Sequence, residues 1–116
     1  MRSIKGATAP AGAEIRGLDL STPLDEDAFA AIEGTFNAHG VVYLRRQSLT
    51  PGQLLDFTKR FGELEYNTFG EQHGLAGHPG VVLISNVEEG GREIGVKRAG
   101  EHWHSDMCYT AKPPRG

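Results

Sequence analysis

The stretch Glu101-His102-Trp103-His104-Ser105-Asp106-Met107-Cys108-Tyr109 decides how this chain is read. Its mixture of aromatic and polar residues predicts a β-strand. On a strand, residues two apart share a face, with Cα atoms about 6–7 Å apart. His104 and Asp106 are such a pair. An imidazole and a carboxylate so placed can converge on one divalent ion. With one more histidine they make a two-His-one-carboxylate facial site, which suits iron and leaves positions open for a co-substrate and dioxygen. His102 shares their parity, but on an extended strand its Cα would lie about 13 Å from that of Asp106. The expected ligands are therefore His104 and Asp106, with a further His from elsewhere. His102 would either support the ligands from behind or be an exposed strand residue, and the exposed reading is favoured. Trp103 is expected in the core on the opposite face, and Cys108 as a small buried hydrophobe. Taken alone, a His-x-Asp pair is explained as well or better by an ordinary hydrogen-bonded couple on a sheet surface.

Upstream of this stretch, Val81–Val87 is the strongest predicted strand. Glu88-Glu89-Gly90-Gly91 reads as a turn, with Arg92–Val96 pairing back as a hairpin arm. The polar, Gly-rich run from Glu65 to Gly80 contains His73 and His78; it reads equally as a surface loop or as a lid over a site. Thr50-Pro51-Gly52-Gln53 is a capping-box pattern with Pro at the first helical position. The helix it opens carries Leu54, Phe57, Thr58 and Phe61 on one face and stops at Gly62. Val41–Leu44 reads as a buried strand. An earlier helix is expected to enter at Ser21-Thr22-Pro23, with Asp25, Glu26 and Asp27 complementing its dipole. Phe29, Ile32 and Phe36 give it an apolar stripe, and Gly40 ends it. His39 is simplest as a dipole-complementing residue in the last turn. Ile4–Thr8 and Glu14–Leu20 read as short strands with a bend near Gly17. Pro113 and Pro114 end the final strand.

Composition narrows the classes. At 116 residues the chain makes one modest domain. A formal net charge of −3, with both signs mixed along the chain, argues against nucleic acid as a partner. Cys108 is the sole cysteine, so no disulfide framework exists within the chain. The apolar runs are far too short to span a membrane. The first residues lack the apolar core of a secretory signal. A cytoplasmic location is the default expectation.

Several motifs then resemble one family in the right order. Trp103-His104-Ser105-Asp106, with Tyr109 and Pro113-Pro114-x-Gly116, resembles the metal-binding strand of the TauD/TfdA family. These are Fe(II)- and 2-oxoglutarate-dependent dioxygenases. Gly12–Leu20 is similar to that family's N-terminal strand pair, and His39–Arg45 to its helix-to-strand junction. Leu49-Thr50-Pro51 through Arg60-Phe61-Gly62-Glu63-Leu64 is similar to its second helix. Ile84-Ser85-Asn86-Val87 resembles the strand before its metal loop.

The resemblance implies an α+β fold, the N-terminal part of a double-stranded β-helix (jelly-roll, cupin-like) with flanking helices. Residues 1–116 would be a single incomplete domain. His104 and Asp106 would be catalytic metal ligands, the first His and the carboxylate of the triad. Fe(2+) is the implied cofactor and 2-oxoglutarate the co-substrate, with O2 and a small, anionic organic molecule as the remaining reactants. Succinate and CO2 would be released as the substrate is hydroxylated. No membrane or nucleic-acid partner is implied, and a homo-oligomer is an option at full length.

Two departures accompany the resemblance. Family members are more than twice this length, and their distal His and 2-oxoglutarate-binding Arg have no match here. The chain is therefore expected to be an N-terminal fragment, inactive alone. The family's taurine-contacting positions align with Asn67, Gly70 and Gly100, which disfavours taurine. Asn67 and Tyr109 are substrate-pocket candidates by position. Two further readings stay open: a truncated, non-catalytic remnant or oligomerisation piece, and a cupin-type enzyme using zinc or manganese.

Overall fold

The computed structural model describes residues 3–6, 12–66 and 72–115. The chain divides into two compact units, Met1–Phe61 and Gly62–Gly116.

In the first unit, β1 (Ser3–Gly6) pairs antiparallel with β2 (Ala13–Arg16), and β3 (Val42–Tyr43) lies parallel to β2 on its other side. Sheet order is β1-β2-β3. β2 is shorter than its predicted span. Gly17, at φ 75, takes the left-handed conformation that glycine adopts without a Cβ clash, and so ends the strand. Leu18 and Leu20 thereby leave the sheet and turn into the core. Val41 falls outside β3 and is 57% exposed, against the expected buried strand over Val41–Leu44.

Helix α1 (Glu26–His39) connects β2 to β3, the kind of crossover that a parallel pair requires. Its cap is Asp25, not Ser21 or Thr22: the Asp25 carboxylate accepts from the Ala28 N–H at 2.7 Å. Ser21 and Thr22 are already committed. Asp19 Oδ1 accepts from the Ser21 N–H and hydroxyl, and the Thr22 hydroxyl donates to the Asp19 carbonyl. Gly40 closes α1 as expected, at φ 73, its N–H donating to the Phe36 carbonyl.

Helix α2 (Pro51–Lys59) begins with the capping box that the sequence predicts. The Gln53 N–H donates to Thr50 Oγ1, and the Thr50 N–H donates to Gln53 Oε1. Gln53 also reaches back to donate to the Ser21 carbonyl. Phe57 and Phe61 pack against the core, but Leu54 is 41% exposed and Thr58 is exposed. Their shared face is therefore narrower than expected.

The core of this unit is Ile15, Leu20 and Ile32, with Ile32 fully buried. Phe61 sets its edge toward Phe29, Phe36 and Phe57, at centroid distances of 5.0, 6.2 and 5.5 Å. Edge-to-face geometry suits the ring quadrupoles. Gln47 ties the chain over this core: its Oε1 accepts from the Leu20 N–H, and its Nε2 donates to the Leu18 and Arg45 carbonyls. Glu14 is a buried carboxylate held between Arg16 (2.7 Å) and Arg45 (3.2 Å). The Arg16 hydrogen bond holds its carboxyl below the usual range, and Arg45 adds to this.

The second unit is built of short ladders. β4 (Gly74–Leu75) pairs antiparallel with β5 (His78–Val82), so part of the expected loop from Glu65 to Gly80 is a small hairpin. β5 ends before the predicted strand does: Ile84 keeps only an isolated parallel bridge to Val96 and is 66% exposed. A hairpin forms where one was expected, but with a tighter turn at Gly90-Gly91: Glu88–Glu89, expected in the turn, are strand β6, and they pair with β7 (Arg92–Glu93), which ends short of the expected Val96. Both glycines have positive φ, 58 and 73, as a tight hairpin turn of the right twist demands.

The stretch 101–109 is not a strand. It runs as irregular chain into a turn over residues 106–109, with the Thr110 N–H donating to the Met107 carbonyl. Trp103 is wholly exposed rather than in the core, and Cys108 is exposed rather than buried. A strand needs a neighbour to take up its N–H and C=O groups; among the described residues, none pairs with this stretch. Where a jelly roll was expected, the described residues form three small sheets and two helices. Among the described residues no helix is long and apolar enough to cross a membrane.

Candidate metal centre

The approach to the centre is set by residues 95–101. Val96 donates to the Leu83 carbonyl and accepts from the Ser85 N–H, fixing the chain against the segment after β5. A turn follows over residues 97–100, in which Arg98 (φ 57) and Gly100 (φ 77) take left-handed conformations. Arg98 Nε lies 3.6 Å from Glu101 Oε1 across this turn. Beyond it, His102 turns its carbonyl toward His104.

His104 and Asp106 do meet. His104 Nε2 stands 2.9 Å from Asp106 Oδ1. The opposite ring nitrogen, Nδ1, is 2.6 Å from the His102 carbonyl. A carbonyl can only accept, so Nδ1 carries a proton and donates it. Nε2 faces the Asp106 carboxylate, also an acceptor, so the couple as it stands calls for a proton on both ring nitrogens. Nε2 can offer a lone pair to an ion only by giving its proton up. The His102 carbonyl first, and Asp106 second, raise the imidazole pKa above its ordinary value. Both side chains are well exposed, 51% and 82%. The pairing does not come from strand parity, because there is no strand; it comes from the local bend of the chain ahead of the 106–109 turn.

The donor set fits a metal ion in two of its positions. Two ligand atoms at right angles on an ion with bonds of about 2.1 Å are about 3.0 Å apart. The gap between Nε2 and Oδ1 matches that spacing. Among the described residues, no group of three or more His, Cys, Asp or Glu is placed to hold a metal ion. His73 and His78 belong to the β4–β5 region: the His73 carbonyl accepts from the Leu83 N–H, and His78 pairs with Leu75. His39 stays in the last turn of α1.

Of the two substrate candidates, Tyr109 is 83% exposed in the 106–109 turn. Asn67 lies outside the described residues. Two features escaped the sequence reading. One is the His102 carbonyl, a backbone group that leaves no side-chain signature. The other is Lys97, whose Nζ sits between Glu88 (2.7 Å) and Glu93 (2.8 Å). The i,i+4 spacing from Glu93 to Lys97 could have signalled half of that contact.

Comparison with known proteins places these elements. Residues 3–116 match the family described as taurine catabolism dioxygenase TauD, TfdA family. The chain belongs to that family. It is 34% identical over 122 residues to an (S)-phenoxypropionate/alpha-ketoglutarate-dioxygenase of Delftia acidovorans, covering 96% of this chain and 38% of the relative. It is 29% identical over 107 residues to pentalenolactone F synthase of Streptomyces arenae, covering 90% and 35%. A taurine dioxygenase structure from Burkholderia xenovorans superposes with a TM-score of 0.58 at 36% identity, over 67% of this chain and 28% of that one. The chain thus spans a little over a third of the curated relatives it matches.

Proposed function

We propose that this chain supplies His104 and Asp106 as two ligands of an Fe(II) site in a 2-oxoglutarate-dependent dioxygenase. The single observation behind this is the 2.9 Å approach of His104 Nε2 to Asp106 Oδ1, with Nδ1 tied to a carbonyl, in a chain of this family. The substrate is a small, anionic organic molecule. One oxygen atom of O2 enters a C–H bond as hydroxyl, and the other enters succinate as 2-oxoglutarate loses CO2. An Fe(II) ion held there would supply the activation of O2 that this oxidation needs. The chain's own residues do simpler work. His104 and Asp106 hold the ion, the His102 carbonyl keeps the Nδ1 proton in place, and Asn67 and Tyr109 border the substrate.

The fold in this reading is the N-terminal part of a jelly-roll dioxygenase, with both units in one domain, 1–116. The family match running through both units supports this. The third ligand and the 2-oxoglutarate-binding Arg come from outside these residues, the location is cytoplasmic, and a homo-oligomer is compatible with it. The test is anaerobic titration of the protein with Fe(II), followed by an assay of succinate release from 2-oxoglutarate. In the full-length enzyme, His104→Ala is expected to abolish both binding and turnover; an unimpaired variant removes the ligand assignment. The 116 residues alone are expected to release no succinate, and Fe(II)-dependent release by them would show that the site is complete within this chain.

A further inference from the structure

Two carboxylates oppose each other in the β6–β7 hairpin. Glu88 and Glu93 are direct cross-strand partners. Like charges in that relation destabilise a ladder, and each strand here is only two residues long. A hairpin of this size is marginal by itself. Lys97 resolves the conflict. Its Nζ reaches Glu88 Oε1 at 2.7 Å and Glu93 Oε1 at 2.8 Å, with the side chain only 32% exposed. Lys97 is held in its charged form by both carboxylates, and Glu93 is held in its charged form by Lys97.

Lys97 is also where the path to the candidate centre begins. Just before it, Gly95 lies so close to the neighbouring segment that a Cβ would come within 2.8 Å of the Leu83 carbonyl oxygen. Val96 is bonded on both sides to that segment. Just after it come the 97–100 turn and the Arg98–Glu101 pair. Gly100 then packs toward His104, where a Cβ would lie 3.8 Å from Cε1. The last step is the hydrogen bond from His104 to the His102 carbonyl. A short, tied path therefore joins the hairpin to the imidazole.

We propose that Lys97 is a positioning residue: by bridging Glu88 and Glu93 it anchors the start of the 97–100 turn, from which the chain runs on to His104 and Asp106. The inference rests on the reading of those two residues as metal ligands. Co(II) is the probe, because its visible spectrum reports coordination without turnover. The full-length protein is titrated as wild type, Lys97→Met, Lys97→Arg, the double variant Glu88→Gln/Glu93→Gln, and His104→Ala, and each is melted. Lys97→Met is expected to weaken Co(II) binding about tenfold while leaving the melting temperature of the first unit unchanged. Lys97→Arg retains binding. The double variant, which removes both partners of the bridge, shows the same loss as Lys97→Met. Wild-type affinity in Lys97→Met, alongside lost binding in His104→Ala, overturns the role of Lys97 alone. A loss in Lys97→Met that the double variant does not share also overturns it, because the bridge would not be the cause. Undiminished binding in His104→Ala overturns the ligand reading, and this inference with it.

Discussion

Ala13, Ile15, Leu20, Ala28, Phe29 and Ile32 are buried in the first unit. In the second, no described apolar side chain is buried, and Ile84, Val87, Trp103 and Tyr109 stand largely in solvent. One region excludes water from a centre of its own. The other is held by backbone bonds, a glycine contact and a lysine between two glutamates. The hydrophobic contribution scales with apolar area removed from water, so the two units have different sources of order. The candidate centre lies in the unit without an apolar interior. Its geometry there depends on the backbone bonds of Val96 and on side-chain ties such as the Lys97 pairs.

The largest effect is expected at Ile32. Ile32→Ala removes a fully buried side chain from the middle of the first unit and should cost about 3 kcal/mol. Chemical denaturation measures it. Amide exchange should show the loss in α1 and β2, while protection in the second unit stays as it was. Uniform loss across both units would mean that they unfold as one and would break the contrast.

Gly95→Ala is the counterpart in the second unit. The added Cβ would stand 2.8 Å from the Leu83 carbonyl oxygen and 2.9 Å from the Ser85 nitrogen, both backbone atoms that cannot swing aside. A cost of about 2 kcal/mol is expected from the forced shift. It should appear as faster exchange of the Val96 and Ser85 amides with no change at Ile32. Unaltered exchange would place the order of this unit elsewhere.

The smallest effect is the pH dependence of the first unit. Glu14 has a carboxyl pKa lowered in the folded chain, chiefly by Arg16. A lowered folded pKa gives stability that is present above the unfolded value, about 4.3. It is lost as the pH falls through the folded value. Wild type should therefore lose stability in acid more steeply than Glu14→Gln. Parallel acid profiles for the two would show that the arginine pair contributes nothing measurable.

The legible parts of this fold were those settled by near neighbours. The Thr50–Gln53 box and the Gly40 stop each need only residues a few positions away, and each stands as read; the turn read over Glu88–Gly91 is there at Gly90-Gly91, with Glu88 and Glu89 drawn into a strand. The entry to α1 failed by competition: Asp19 takes the hydroxyls that would have capped, so Asp25 does it. The strand expected at 101–109 failed for a longer-range reason. Trp, His and Tyr favour a pleated surface, yet a strand exists only beside a partner, and the described residues supply none. The His104–Asp106 couple was legible as a pair, although parity was the wrong reason for it. A third donor was not legible in the sequence, and among the described residues no group of three His, Cys, Asp or Glu is placed to hold a metal ion.

Trp103 is the sole tryptophan of the chain, fully exposed and adjacent to His104. Emission from this chain therefore arises at a solvent-exposed indole beside the imidazole proposed as a ligand. A paramagnetic ion on that imidazole would dim the light. Quenching on metal addition would thus report occupancy of the proposed site with no label attached.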